Sequence, residues 1–136
     1  MNYLTKEQIL LIHSLIIDET DGMHGVRDRH IILSLENSPK QSFGGKETYP
    51  TPFQKAALYA RNIILNHPFI DGNKRTGMTT AIIFLENNDF QISIPQGEIE
   101  KFALKIVSEK LDIEDIAAWL EKYCIITWHT PLPLFP

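Results

Sequence analysis

The chain has 136 residues, 43% of them hydrophobic, with a net charge of −4 and an isoelectric point of about 5.7. That length suits one domain with its own core. The acidic balance sets aside a general nucleic-acid binder, which shows a basic patch or stripe. A single cysteine, Cys124, excludes an intrachain disulfide and a Cys-based zinc site; it reads as a small core residue.

The first element begins at Thr5, which has a Gln three residues on, the form of a capping box. Ile9, Ile12 and Ile16, with Leu11 and Leu15, follow at helical spacing, and the helix should end near Asp21-Gly22. Residues 22–28, GMHGVRD, read as a loop. Asp28 can cap a short helix over 29–37 that Pro39 terminates. Arg27 and Asp28 read as a structural ion pair and helix cap. Segment 39–52 is turn-rich, and Phe43 and Tyr49 flank a Gly44-Gly45 centre, which predicts a small hairpin or flap.

A strong helix is predicted from Phe53, with Ala56, Ala57, Ala60, Ile63 and Ile64 on one face. It should stop at Asn66-His67, because Pro68 disfavours helical dihedrals in the residue before it. A second strong helix, from about Lys74 to Asn87, is apolar nearly all round and should be central and buried. An extended piece (91–95) follows, then a helix near 96–109. A last helix runs from Asp112 to Tyr123, with Ile113, Ile116, Ala117 and Leu120 on one face. The expected fold class is all-α, a compact bundle of about six helices with a hairpin flap.

Residues 1–123 then form a single domain, and 124–136 a Pro-rich apolar tail. The tail does not read as a regular helix and is expected to lie against the body or a partner; Trp128 and Leu132–Phe135 read as a patch docked on the protein's own surface, with a partner patch as the alternative. The start of the chain lacks the basic region and small-residue cleavage site of a signal peptide. His13 and Ser14, or Glu86, interrupt its longest apolar runs, so no membrane span is expected. A cytoplasmic location is the default.

The densest group of reactive side chains is Asn66–Gly77, NHPFIDGNKRTG, between the two strong helices. Asp71-Gly72 favours a tight turn that opens onto a helix start at Asn73-Lys74. The first N–H groups of a helix have no internal partners and carry the positive end of its dipole, so they attract anions. Gly72 permits close approach of a phosphate, Arg75 can grip its oxygens bidentately, and Lys74 adds a point charge. An acid in such a place makes electrostatic sense as a Mg²⁺ ligand, which assigns Asp71 to the metal. Histidine exchanges protons near neutral pH, so His67 is the candidate general base. Phe69 should point inward and anchor the loop.

His13, His24, His30 and His129 lack metal-site spacing and read as surface or packing residues. Gly44-Gly45-Lys46 is no P-loop, since Lys40 stands where its first glycine belongs and Glu47 where Ser or Thr is needed.

HPFIDGNKR (67–75) resembles the signature of the Fic/Doc family, His-Pro-Phe-x-Asp/Glu-Gly-Asn-x-Arg. Gly25-x-Arg27-Asp28, the SFGG flap at 42–45, Tyr49-Pro50 and FLENND at 84–89 also resemble the Doc branch, so the likeness covers roughly residues 5–122. The resemblance implies a Fic/Doc-type helical fold and transfer of part of a nucleoside phosphate to a protein hydroxyl, with ATP and Mg²⁺ as cofactors. It implies His67 as general base, Asp71 as Mg²⁺ ligand, Gly72 and Asn73 as anion hole, and Arg75 as phosphate holder. The flap, with Phe43, Gly44, Gly45 and Lys46, would align the target by strand addition.

Lys74 resembles the Doc-like toxins, in which ATP binds reversed and its γ-phosphate moves. Pro68 and Gly72 follow the AMP-transferase pattern, so AMP transfer stays open as the alternative. A non-catalytic partner-binding homologue is the other alternative. The self-inhibitory Ser/Thr-x-x-x-Glu-Gly/Asn motif is missing: Ile82 precedes Glu86-Asn87 and Ile32 precedes Glu36-Asn37 at the required spacing. The resemblance thus implies an antitoxin in trans whose disordered C-terminal segment folds onto the toxin. It also implies a target such as the translation factor elongation factor Tu.

Overall fold

The computed structural model describes residues 1–127. Six α-helices form the body: α1 Lys6–Thr20, α2 Arg29–Ser34, α3 Pro52–Asn66, α4 Asn73–Asn87, α5 Glu98–Glu109 and α6 Ile113–Lys122. There are two small antiparallel ladders. In the first, β1 (Ser42–Phe43) pairs with β2 (Lys46–Glu47). In the second, β3 (Phe90–Ile92) pairs with β4 (Cys124–Thr127). Apart from the ladders, the all-α expectation holds.

Side-chain chemistry sets the helix starts. Thr5 and Gln8 close a capping box on α1, with Gln8 N donating to Thr5 Oγ1 at 3.2 Å and Thr5 N to Gln8 Oε1 at 2.8 Å. Thr51 and Gln54 repeat it on α3, where Pro52 occupies the first turn and so wastes no hydrogen bond. Asp28 and Asp112 cap α2 and α6 through His30 N and Asp115 N.

The core lies around α3 and α4. Helix α3 packs against α4, α5 and α6, and α4 also meets α1, α5 and β3. Ala56, Ala57, Ala60, Ile63 and Ile64 of α3 are fully buried, as are Met78, Ala81, Phe84 and Leu85 of α4. The crossing is close at Gly77. A Cβ there would stand 2.7 Å from Ile64 Cγ1 and 3.0 Å from the Ala60 carbonyl oxygen.

Several details of the structure add to the sequence reading or depart from it. The buried stripe of α1 is Ile9, Ile12, His13, Ile16 and Ile17, whereas Leu11 and Leu15 face solvent. Helix α2 ends at Ser34, and a 3-10 turn over Ser38–Lys40 carries Pro39. Cys124 is half-buried in β4 rather than in the core. Residues 124–127 form a strand on β3; Trp128 and Leu132–Phe135 lie outside the described residues.

A buried lysine fixes the β1–β2 hairpin. Lys55 of α3 is 1% exposed. Its ammonium donates to the carbonyls of Pro39 and Tyr49, on either side of the hairpin, and to Glu47 Oε1 at 2.8 Å. Three oxygens from separate segments offset its desolvation, which would otherwise be prohibitive. The hairpin beyond this base is exposed, with Gly44 and Gly45 at φ 59° and 81° in its turn.

Two substitutions test this packing. Gly77→Ala should lower stability in urea by about 1–3 kcal/mol, because backbone on one side and a buried isoleucine on the other leave no room; a neutral result would mean the helices are less tightly crossed. Lys55→Met should leave two carbonyls unpaired, at about 1–3 kcal/mol. It should also make 41–48 the first site of protease cleavage, and unchanged protection of the hairpin would deny Lys55 its anchoring role.

Candidate active site

The loop 67–72 joins α3 to α4, and other parts of the chain hold it. At its start His67 adopts a left-handed conformation, φ 49° and ψ 62°, and its N–H returns to Ile63 O at 3.3 Å. A non-glycine residue there costs about 1–2 kcal/mol. Arg27 stands against this turn. Its Nε donates to His67 O and its Nη2 to Asn66 O, both at 2.6 Å. It thus binds carbonyls that the end of α3 leaves unpaired. The expected Arg27–Asp28 ion pair does not form; Asp28 alone does the capping of α2.

The rest of segment 22–28 runs alongside the loop. Arg27 N and Asp28 N donate to Pro68 O at 2.6 and 3.0 Å, Val26 bridges Phe69, and Ile70 N donates to Gly25 O at 3.0 Å. Met23 N donates to Asp71 Oδ2 at 3.0 Å. Gly22 must be small, because a Cβ would sit 2.7 Å from Asp71 Oδ2 and 2.9 Å from Ile17 Cδ1.

Underneath, Phe69 is 1% exposed and anchors the loop, at about 1.5–3 kcal/mol of burial. Its ring stacks on His13 of α1 at 3.7 Å between centroids and 5° between planes. His13 Nε2 lies 2.8 Å from Asp71 O, which makes that nitrogen the donor. Burial lowers the His13 pKa below its usual 6.5, outweighing the hydrogen bond to Asp71, which raises it. Asn73 adds a two-way tie, with Phe69 N donating to its Oδ1 at 3.0 Å and its Nδ2 donating to Phe69 O at 2.9 Å.

Gly72 caps α4 at φ 79°, and a Cβ there would meet Ile17 Cδ1 at 2.9 Å. The first bond back to the cap is Thr76 N to Gly72 O at 2.9 Å. The N–H groups of Asn73, Lys74 and Arg75 therefore have no acceptor among the described residues, and no side chain caps them. Lys74 and Arg75 are exposed and form no ion pair among the described residues. Asp71 is exposed, with Oδ1 accepting from Gly72 N at 2.9 Å. The His67 imidazole is exposed and has no hydrogen bond among the described residues.

This arrangement offers a proton acceptor, one carboxylate and a positive helix end with two free cations. No group of three His, Cys, Asp or Glu side chains gathers among the described residues, so a zinc-type cage is not present there. A lone exposed carboxylate fits Mg²⁺, which keeps several waters and takes its other ligands from phosphates.

The loop and the start of α4 thus bring His67, Asp71, Gly72, Asn73, Lys74 and Arg75 together. The Asn73 side chain, though, is turned back onto Phe69, so only its backbone N–H faces an anion. Phe43, Gly44, Gly45 and Lys46 are not in this group. The hairpin is tied to Lys55, twelve residues along α3 from His67, or about 18 Å of helix rise. No hydrogen bond or ion pair joins it to the loop among the described residues. Phe43 is 88% exposed at the hairpin turn.

Sequence reading missed His13, Arg27 and Lys55 as supports. His13 does fall on the stripe of Ile9, Ile12 and Ile16, and Lys55 interrupts an apolar face next to Ala56. Each was a visible signal of a buried polar group. Arg27 gave none.

His13 makes stability depend on pH. Its folded pKa is lowered, so the unfolded chain binds more protons between that value and 6.5. Its contribution is full above 6.5, falls as pH drops through the window, and levels off below the folded pKa. His13→Gln keeps a donor and removes this dependence. The urea midpoint should fall less from pH 7.5 to pH 5 in the variant than in the wild type; equal falls would mean that His13 protonates freely in the fold.

Comparison with known proteins adds to this geometry. A family model described as the Fic/DOC family matches residues 3–85. The chain is 29% identical over 120 residues to the "Toxin Doc" of Mycolicibacterium smegmatis, covering 87% of this chain and 90% of that protein. It is 21% identical over 122 residues to the "Protein kinase doc" of Escherichia phage P1, covering 90% and 95%. With the signature set between two core helices and the match spanning most of the domain, the chain belongs to the Fic/Doc family, in its Doc-like branch.

Proposed function

We propose that this chain is a Doc-like toxin that transfers the γ-phosphate of ATP to a hydroxyl of a target protein, such as a translation factor like elongation factor Tu. The observation that carries the reading is the open start of α4. Three unpaired N–H groups and the free Lys74 and Arg75 stand one turn of loop from an imidazole with no partner. The names of the two relatives, a toxin and a protein kinase, support it.

In this reading the positive helix end and Arg75 orient the phosphates, and Asp71 holds Mg²⁺, which offsets their charge. His67 accepts the proton of the target hydroxyl as its oxygen bonds to the γ-phosphorus. The bond from that phosphorus to the β,γ-bridging oxygen breaks, and ADP leaves. The proton on His67 then passes to solvent. The exposed β1–β2 hairpin offers an edge on which a target segment can align.

AMP transfer is the second reading, because Pro68 and Gly72 follow that pattern. Both residues have a structural reason, however. Pro68 ends α3 and its carbonyl takes two N–H groups from segment 22–28, while Gly72 must be left-handed beneath Ile17. Neither discriminates between the reactions, which leaves Lys74.

An antitoxin in trans fits the surface between α1 and α2. Leu10, Val26, Ile32 and Leu33 line a groove of about 330 Å³ together with Lys6, Glu7 and Arg29, and Leu11 and Leu15 of α1 are also exposed. No helix among the described residues is long and apolar enough to cross a membrane, and the proposed location is a bacterial cytoplasm.

The test is label transfer into a bacterial lysate from ATP labelled at the α- or the γ-phosphate. Label from γ alone is expected, and His67→Ala should lose about 10²–10⁴-fold in rate and its toxicity while keeping its fold. Label from α alone would establish the AMP transferase instead. No transfer, together with no binding of Mg·ATP by calorimetry, would leave a partner-binding homologue.

A further inference from the structure

We infer that Arg27 is a positioning residue for His67, fixing from a separate segment of the chain where the imidazole points. The inference rests on the reading of His67 as the proton acceptor.

A histidine that takes a proton is usually oriented by a hydrogen bond on its second ring nitrogen. His67 has none among the described residues. Its side chain is exposed, so the direction of its Cα–Cβ bond is the main control on the ring. That direction follows from a left-handed backbone, φ 49° and ψ 62°, which is uncommon for a non-glycine residue. One guanidinium braces it. Arg27 Nε and Nη2 hold the carbonyls of His67 and Asn66 at 2.6 Å each, so both peptide planes next to His67 are gripped by a planar fork. The Arg27 backbone N–H holds the next carbonyl, that of Pro68. Three successive carbonyls, 66, 67 and 68, thus point at one residue about forty positions away.

Lysine cannot reproduce this. It carries the same charge to the end of α3, but as a point donor rather than a fork with fixed spacing. Substitution of Arg27 therefore separates orientation from charge. It should also leave the anion site alone, because no hydrogen bond links Arg27 to Gly72–Arg75 among the described residues; the start of α4 is held by Asn73 and His13 instead.

The experiment uses the full chain as wild type, Arg27→Lys and Arg27→Met. Two things are measured: the His67 imidazole resonances in proton–carbon spectra, and the kinetics of label transfer from ATP. Both variants should shift or broaden the His67 resonance while that of His13 stays in place. In both, kcat should fall about 10–100-fold, with KM for ATP within about threefold of wild type, as expected when a reacting group is misplaced by an ångström or so. A His67 resonance identical in all three proteins would overturn the inference, whatever the kinetics. So would a parallel loss of ATP binding and of the His13 resonance, which would make Arg27 a general support of the fold. If the wild type transfers no label, the proposed function fails, and the resonances alone still decide the role of Arg27.

Discussion

The close crossing of α3 and α4 is the constraint on which the site depends. Gly77 lets α4 come within a van der Waals contact of Ala60 and Ile64, and this fixes the separation of the two helices at their joined ends. Only residues 67–72 connect them. A loop that short between two rigidly packed helices has few available paths, and every polar group it carries must be satisfied along whichever path it takes. The core thus sets the loop's endpoints before any residue of the signature contributes.

The loop cannot satisfy its own backbone, and its neighbours do so instead. The carbonyls of Asn66, His67 and Pro68 go to Arg27 and Asp28, Ile70 N goes to Gly25, both backbone groups of Phe69 go to Asn73, and the carbonyl of Asp71 goes to His13. With the backbone settled in this way, the ring of His67 and the charges of Lys74 and Arg75 are left for solvent or a ligand. Asn73 shows the division most clearly. Its amide is spent inside the protein, so whatever it offers an anion comes from its main chain.

Much of this was legible in the sequence, for local reasons. Helical spacing located α1 and α3 to α6; Thr5, Asp28 and Asp112 marked the starts of α1, α2 and α6, and Pro68 marked the end of α3, because each signal lies within a turn or two of what it specifies. The six candidate residues of the loop fall within nine positions, so the sequence alone groups them. The supports were not, because His13, Arg27 and Lys55 meet their partners across six to fifty-eight positions and bond mostly to main-chain oxygens, which carry no residue-specific signature. Leu11 and Leu15 failed for a different reason. Apolar residues on both flanks of a stripe look alike in period, and only the position of α4 decides which flank is covered. Strand β4 is too short to show a period, and its pairing with β3 joins ends of the chain more than thirty residues apart.

The same division bears on which phosphate moves. Two of the positions that separate the patterns within the family, 68 and 72, are committed to the fold: one ends a helix, and the other takes a left-handed φ of 79° that favours glycine. A residue with a structural duty in this chain need not report the chemistry. Lys74 has no such duty. It is exposed, makes no ion pair among the described residues, and sits where the helix dipole already repels a cation. A lysine at the first turn of a helix is unfavourable for the isolated fold, and a phosphate bound at that turn reverses the sign of its interaction. The cost makes sense if the ligand brings negative charge to that point, and this is why the proposed function turns on Lys74 rather than on the glycine two residues before it.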